Sequence, residues 1–367
     1  MSMSHMYYNE GRYSSTIKLF LIFLLTISVI SVLSSCHKKE LSYIPPVFTD
    51  IQDAEVTVIG GPEIIYPVAW SMQIEDSSVL MLGLLDDHWI QIYNRFSGEP
   101  TGAHITRGEG PEEMIFANMS VFGTDDKYYK IFDEETQKIK FYDKKFNLID
   151  QLSPKKFERG RIWDVFCLPG DRYLLHCGFD KYRSALTIVR DGEEGVMYTT
   201  TPVDSPSDLV TDRNTPTLKD LYKRRRSALS PDGTRLVCTT MSGAFMEIFD
   251  IKDLTLTPRV TKCMYPYEVE MRGNLRSVTD DSMQGFSAVC ATDSRIIGAF
   301  LEHTEPMGPS DITVWDWDGN PLRRYKTDYQ ILAMALSPDN PDDIYALGGT
   351  RDGEISLLLF HCPGLLD

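Results

Sequence analysis

One short pattern recurs along this chain and constrains its fold more than any other feature: an alternating strand that ends in a polar residue. It reads WIQIYN ending at Asn94, KIKFYD at Asp143, ALTIVR at Arg190, FMEIFD at Asp250 and DITVWD at Asp316. Four and two residues before each end stand apolar side chains: Ile90 and Ile92, Ile139 and Phe141, Leu186 and Ile188, Met246 and Ile248, Ile312 and Val314. Period-two spacing puts each pair on one strand face. A turn-rich stretch and often a further strand follow, as in KKFNLIDQL and WDGNPLRRYK. A sixth copy, EISLLLF ending at Phe360, lacks the polar residue, and successive copies end 49, 47, 60, 66 and 44 residues apart.

Such intervals suit four-stranded blades with insertions, so the pattern predicts an all-β, six-bladed β-propeller over residues 48–367. A β-sandwich needs about seven strands, and this chain offers far more short ones. Turn signals support the reading. LSPDG at 229–233, LSPDN at 336–340 and LPGD at 168–171 each precede a strand, with Pro presetting φ and Asp accepting local N–H bonds. Closing the ring calls for an N-terminal strand in the last blade, expected within Asp53 to Ile59, which protects the sheet edges. Residues 201–217, rich in Pro, Asp, Ser and Thr, read as a loop. The following LKDLYKRRR, 218–226, reads as a short helix with Leu218, Leu221 and Tyr222 on one face.

The N-terminus reads as an address. Arg12 and Lys18 precede a 15-residue apolar run, Leu19 to Leu33, short for a spanning helix but right for a secretory signal. Leu33-Ser34-Ser35-Cys36 ends it, similar to a bacterial lipobox. Residues 1–35 are therefore expected to be a signal peptide, Cys36 the lipid attachment site and residues 36–47 the lipidated tether. His37 rather than Asp at the next position points to the outer membrane, with either face open. Processing would remove Glu10, Arg12 and Lys18, leaving 35 basic and 52 acidic residues, net -17. That charge repels phosphate backbones and argues against nucleic acid as a partner.

Three segments together, Leu-Ser-Ser-Cys36, HWIQIYNRFSGEPTGAHITRGEGPEEM and LSPDGTRLVCTTMSGAFMEIFDIKD, resemble the TolB-like six-bladed propeller lipoproteins of Bacteroides-type bacteria. The most specific part is Arg107-Gly108-Glu109-Gly110-Pro111-Glu112-Glu113-Met114, similar to the family's Gly-x-Gly-Pro-x-Glu loop, with Glu112 where relatives often carry a second glycine. The resemblance implies fold and envelope location, and it brings no catalytic residues.

Function is less legible. Glu109, Glu112 and Glu113 offer carboxylate oxygens for a ligand or for calcium, although the loop lacks calcium-loop spacing and serves equally as a blade connector. No other cofactor is expected. Asp87 and His88, Asp164 and His303 are further channel residues able to contribute carboxylate or imidazole. No histidine pair has ligand spacing, no C-x-x-C occurs, and no hydrolase, P-loop or dinucleotide motif is present. Cys238 and Cys290 lie in apolar strands and read as structural. The run Lys223-Arg224-Arg225-Arg226 suits an anionic group or a solvated helix end. Two functions follow. One is a lipid-anchored envelope module binding a peptide, glycan or protein partner. The other is a propeller enzyme (lactonase, lyase or glycan hydrolase) with carboxylates or a divalent cation at the channel mouth, which needs three or four inner-loop acidic, amide or imidazole groups to converge; Asp87, Glu112, Asp164 and His303 are candidates.

Overall fold

The structure is a computed structural model. It describes residues 43–367 apart from 62, 119–122, 125–126, 154–160, 179–183, 191–192, 196–197, 201–224, 267–268, 273–274, 306–307 and 351–352. The expected signal peptide, Cys36, the tether before residue 43, the 201–217 loop and residues 218–224 lie outside the described residues.

Six antiparallel sheets follow one another along the chain. Blade 1 is built from Ser71–Glu75, Ser78–Leu85, His88–Asn94 and Pro100–Thr106. Blade 2 runs from Gly123–Thr124 to Leu148–Leu152, and blade 3 from Ile162–Leu168 to the pair Glu193–Glu194 and Tyr198–Thr200. Blade 4 runs from Arg225–Leu229 to Thr255–Cys263, and blade 5 from Phe286–Ala291 to Pro321–Lys326. Blade 6 has Gln330–Leu336, Asp343–Gly349 and Ile355–His361, with Glu55–Gly60 as its outer strand. The ring closes as the sequence requires: the N-terminal strand pairs antiparallel with the third strand of the last blade. A further strand, Asp50–Asp53, lies parallel to the outer strand of blade 5. Arg225 and Arg226 belong to the inner strand of blade 4, so the end of the expected short helix is β-structure instead.

The recurring pattern is the third strand of each blade, and in blades 1, 2, 4 and 5 its apolar pairs face the next blade. Ile90 and Ile92 enter the core between blades 1 and 2, Ile139 and Phe141 that between 2 and 3. Met246 and Ile248 pack towards blade 5, Ile312 and Val314 towards blade 6. Intervening residues face the preceding blade, so a strand such as SVLMLGLL in blade 1 is apolar on both faces: Val79 and Met81 pack on blade 6, Leu80 and Leu82 on blade 2. Blade 6 corrects the sequence register. The residue equivalent to Asn94 is His361, which lies opposite the first residue of the second strand, Asp343, as Asn94 lies opposite Ser78. Four and two residues before His361 stand Leu357 and Leu359, and both pack towards blade 1. The missing polar end is therefore present, one residue later than the apolar run suggests.

The polar ends close turns. Asp143 Oδ1 accepts the N–H groups of Lys145 and Asn147 at 2.8 and 2.9 Å, and its Oδ2 accepts Asn147 Nδ2 at 2.8 Å. Asp316 repeats this with Asp318 and Asn320. The LSPDG, LSPDN and LPGD turns join first and second strands, and Gly233 takes the positive φ expected of it. Cys167 and Cys177 are not cross-strand partners: their register partners are Tyr173 and Ile162. Cys263, Cys290 and Cys362 are free thiols that burial pushes up to about 12, so they stay protonated and behave as small apolar groups.

Candidate functional site

Strand direction divides the connections between two ends of the ring. Turns from first to second and from third to outer strands lie at one end and are short. Loops from second to third strands, and connectors between blades, lie at the other. Among the described residues, that second end carries the connector residues 107–118, the loop 301–310 and the segment 264–285. The last contains a small hairpin, Val269–Arg272 paired with Leu275–Val278, which accounts for the 66-residue interval.

Two chemistries meet there on the connector into blade 2. Residues 116–118 pair with the end of that blade's second strand: Ala117 bridges Asp133, Glu134 N–H donates to Phe116 C=O at 2.9 Å, and Asn118 N–H to Phe132 C=O at 2.9 Å. On the blade 1 side, Phe116 stacks on Trp70 at 6.2 Å and meets Trp89 edge-on at 5.6 Å. Trp89 Nε1 donates to Met114 C=O at 2.9 Å, whereas the buried Trp70 Nε1 has no hydrogen-bond acceptor. Phe116 is 40% exposed, whereas Trp89 beneath it is buried.

On the blade 3 side stands a polar group. Asn118 Nδ2 donates to Trp163 C=O and to Glu134 Oε2. Arg161 lies 3.3 Å from Glu134 and 2.6 Å from Glu135. Asp164 and His176 face each other across the first two strands of blade 3, with Oδ2 and Nδ1 3.7 Å apart, and the Trp163 ring meets His176 edge-on at 5.1 Å. Burial raises the Glu134 carboxyl above the ordinary range, Arg161 opposes that, and Asp164 adds to it.

The residues singled out in the sequence distribute differently. In the 107–114 loop, Glu113 turns inward and its Oε2 accepts Gly110 N–H at 2.8 Å. Arg107 bridges Met114, and Gly108 N–H donates to Met114 C=O at 3.0 Å. From below, the buried Lys140 ammonium donates to the carbonyls of Glu113 and Pro111 and lies 3.8 Å from Asp133. Glu112 lacks a left-handed backbone, and its side chain is exposed with those of Arg107, Glu109 and Pro111. Asp86 and Asp87, with φ of 47° and 61°, form the tight turn before His88; Asp87 C=O accepts Arg107 N–H at 2.7 Å, and His88 Nδ1 meets Asp86 C=O at 2.8 Å. His303, on blade 5, sets Nε2 2.9 Å from Pro309 C=O. Of Asp87, Glu112, Asp164 and His303, only Asp164 belongs to the polar group. Asn118, Glu134, Glu135, Arg161 and His176 were not singled out. Their signals were DEET after a strand and a histidine inside the apolar YLLHC. Among the described residues, no group of three or more His, Cys, Asp or Glu side chains is arranged to hold a metal ion.

The architecture defines a class: a six-bladed propeller with one end elaborated by insertions. The chain belongs to the TolB-like 6-blade propeller-like family, whose profile matches residues 47–339. Among solved structures it is similar to a DUF4221 member from Bacteroides vulgatus ATCC 8482, with 11% identity, TM-score 0.54, and 84% of this chain and 98% of that one covered. It is also similar to a calcium-binding protein, regucalcin, from Agrobacterium tumefaciens strain C58, with 11% identity, TM-score 0.52, and 86% and 96% covered. At such identities the likeness concerns the fold. No curated protein matches the sequence significantly.

Proposed function

We propose that the protein is a lipid-anchored binding module of the cell envelope, attached to the outer membrane through Cys36, and that it takes a neutral oligosaccharide at its insertion-bearing end. One observation carries the reading: Phe116, exposed where it packs on Trp70 and Trp89, and Asn118, which joins the Glu134–Arg161–Asp164–His176 group, stand two residues apart on one connector. A sugar ring lays its C–H face on the exposed Phe116 ring while its hydroxyls exchange hydrogen bonds with Glu134, Glu135 and Arg161, the members of the polar group that reach solvent; Asn118, Asp164 and His176 are buried. The protein's negative charge disfavours anionic glycans and nucleic acids at the same place.

A thermal-shift screen of the soluble form beginning at residue 38 tests this, with neutral oligosaccharides, cell-wall fragments, short peptides and Ca²⁺ in the panel. A sugar at 100 times its dissociation constant stabilises by ~2.7 kcal/mol, enough to move the midpoint visibly. A shift with peptides or Ca²⁺ and none with sugars overturns the sugar assignment. The raised Glu134 beside Asp164 favours one second reading, a propeller enzyme acting on the bound sugar. In that case Glu134→Gln abolishes product formation, whereas a pure binding module yields no product in either form.

A further inference from the structure

The N-terminal segment does more than complete blade 6. Tyr43 bridges in parallel to Cys263 at the end of the outer strand of blade 4, and Ile44 N–H donates to Cys263 C=O at 3.1 Å. Phe48 then tucks against Trp315 of blade 5, ring to ring at 5.2 Å, and Asp50–Asp53 pairs with that blade's outer strand, where Arg323 meets Asp50 at 2.5 Å. Only afterwards does Glu55–Gly60 join blade 6. Residues 43–60 thus run as a strap along the rim over three successive blades.

Phe48 and the partly buried Asp50 and Gln52 hold the strap down. Tyr43, Ile44, Val47 and Ile51 are 42, 62, 74 and 52% exposed, four large apolar side chains within nine residues. Water is a poor environment for such a row. The exposed Asp53 and Glu55 end it. Only seven peptide steps separate Cys36 from Tyr43, a reach of at most about 25 Å. We infer that this rim, over blades 4 and 5, rests on the lipid bilayer, with Tyr43, Ile44, Val47 and Ile51 in the head-group region. The inference rests on the lipid anchor at Cys36 proposed above. Lys38 and Lys39, beside the anchor, add attraction to anionic head groups. A rim-down posture leaves both ends of the channel facing water, so the insertion-bearing end stays open to a ligand.

The test uses the full acylated protein bound to preformed vesicles of phosphatidylethanolamine and phosphatidylglycerol, with the acyl group on Cys36 verified by mass spectrometry. Val47→Cys, Ile51→Cys and, as a remote control on the outer strand of blade 2, Ile149→Cys are labelled with a membrane-impermeant maleimide. Each is compared with its soluble, unacylated form and with the parent protein's background. Labelling at 47 and 51 is expected to fall about tenfold on vesicles, as for side chains sunk among head groups, with no change at 149. Equal labelling at all three positions on acylated protein overturns the docking while leaving the anchor intact. Protection at 149 rather than at 47 and 51 also overturns it. An unmodified Cys36 overturns anchor and docking together.

Discussion

Asp143 and Asp316 close their turns with the same three hydrogen bonds, and both occur in the spacing Asp-x-x-x-Asn. The carboxylate serves as a local backbone acceptor, which is why the repeated strand ends in a polar residue. Replacing Asp316 with Ala should cost about 1 kcal/mol in urea denaturation, and Asp316→Ala with Asn320→Ala should cost less than the sum of the two singles. His361 carries a different chemistry in the same position. Its Nδ1 lies 2.7 Å from Asp343 Oδ1, and that bond raises its pKa. A raised histidine contributes stability that is complete below the ordinary histidine range and lost as pH rises through the folded value. With the imidazole partly exposed, the contribution stays under about 1 kcal/mol. Stability of the native protein should therefore fall slightly from mildly acidic to mildly basic pH relative to His361→Gln, and identical profiles would contradict the assignment.

At the scale of elements, legibility followed burial. The third strands were readable because each sets alternate residues against two neighbouring blades, and the fixed polar end marks their register. The sixth copy misled because LLLF is apolar at every position, so only pairing, His361 against Asp343, fixes which residues face blade 1. The closing strand was legible as a requirement of the ring. What holds it was not: Gly60 packs against Gly98, whose φ is 75°, and a Cβ at Gly98 would come within 2.5 Å of Gly60 Cα. Tyr66 OH adds a hydrogen bond to Gly98 C=O at 3.2 Å. Gly98→Ala combines a left-handed backbone with a backbone collision at the seam between blades 6 and 1. It should destabilise by more than about 1 kcal/mol, and a neutral effect on the unfolding midpoint would contradict this account of the seam. The site was the least legible part. Its members come from a connector, a second-strand loop and two strands of the next blade, and no spacing in one sequence reveals that convergence. Asp164 was found because acidic residues stand out in an apolar strand, while Glu134 and Asn118 look like ordinary loop residues.

Among the described residues, the longer connectors lie at one end of the ring and the short regular turns at the other. Insertions cost little stability when the ring beneath them is closed and each blade is buried between two others. A closed ring with one elaborated end suits recognition, and the aromatic and polar groups of blades 1–3 give that end its chemistry. The central claim is that a neutral sugar binds across these two groups. Calorimetric titration of the oligosaccharide giving the largest thermal shift, against the native protein and Phe116→Ala, tests it most directly. The account predicts saturable binding by the native protein and a loss of about tenfold, about 1.4 kcal/mol, in the variant, with an unchanged fold by circular dichroism. Equal affinity in the two proteins would contradict it and move the ligand to another part of the ring.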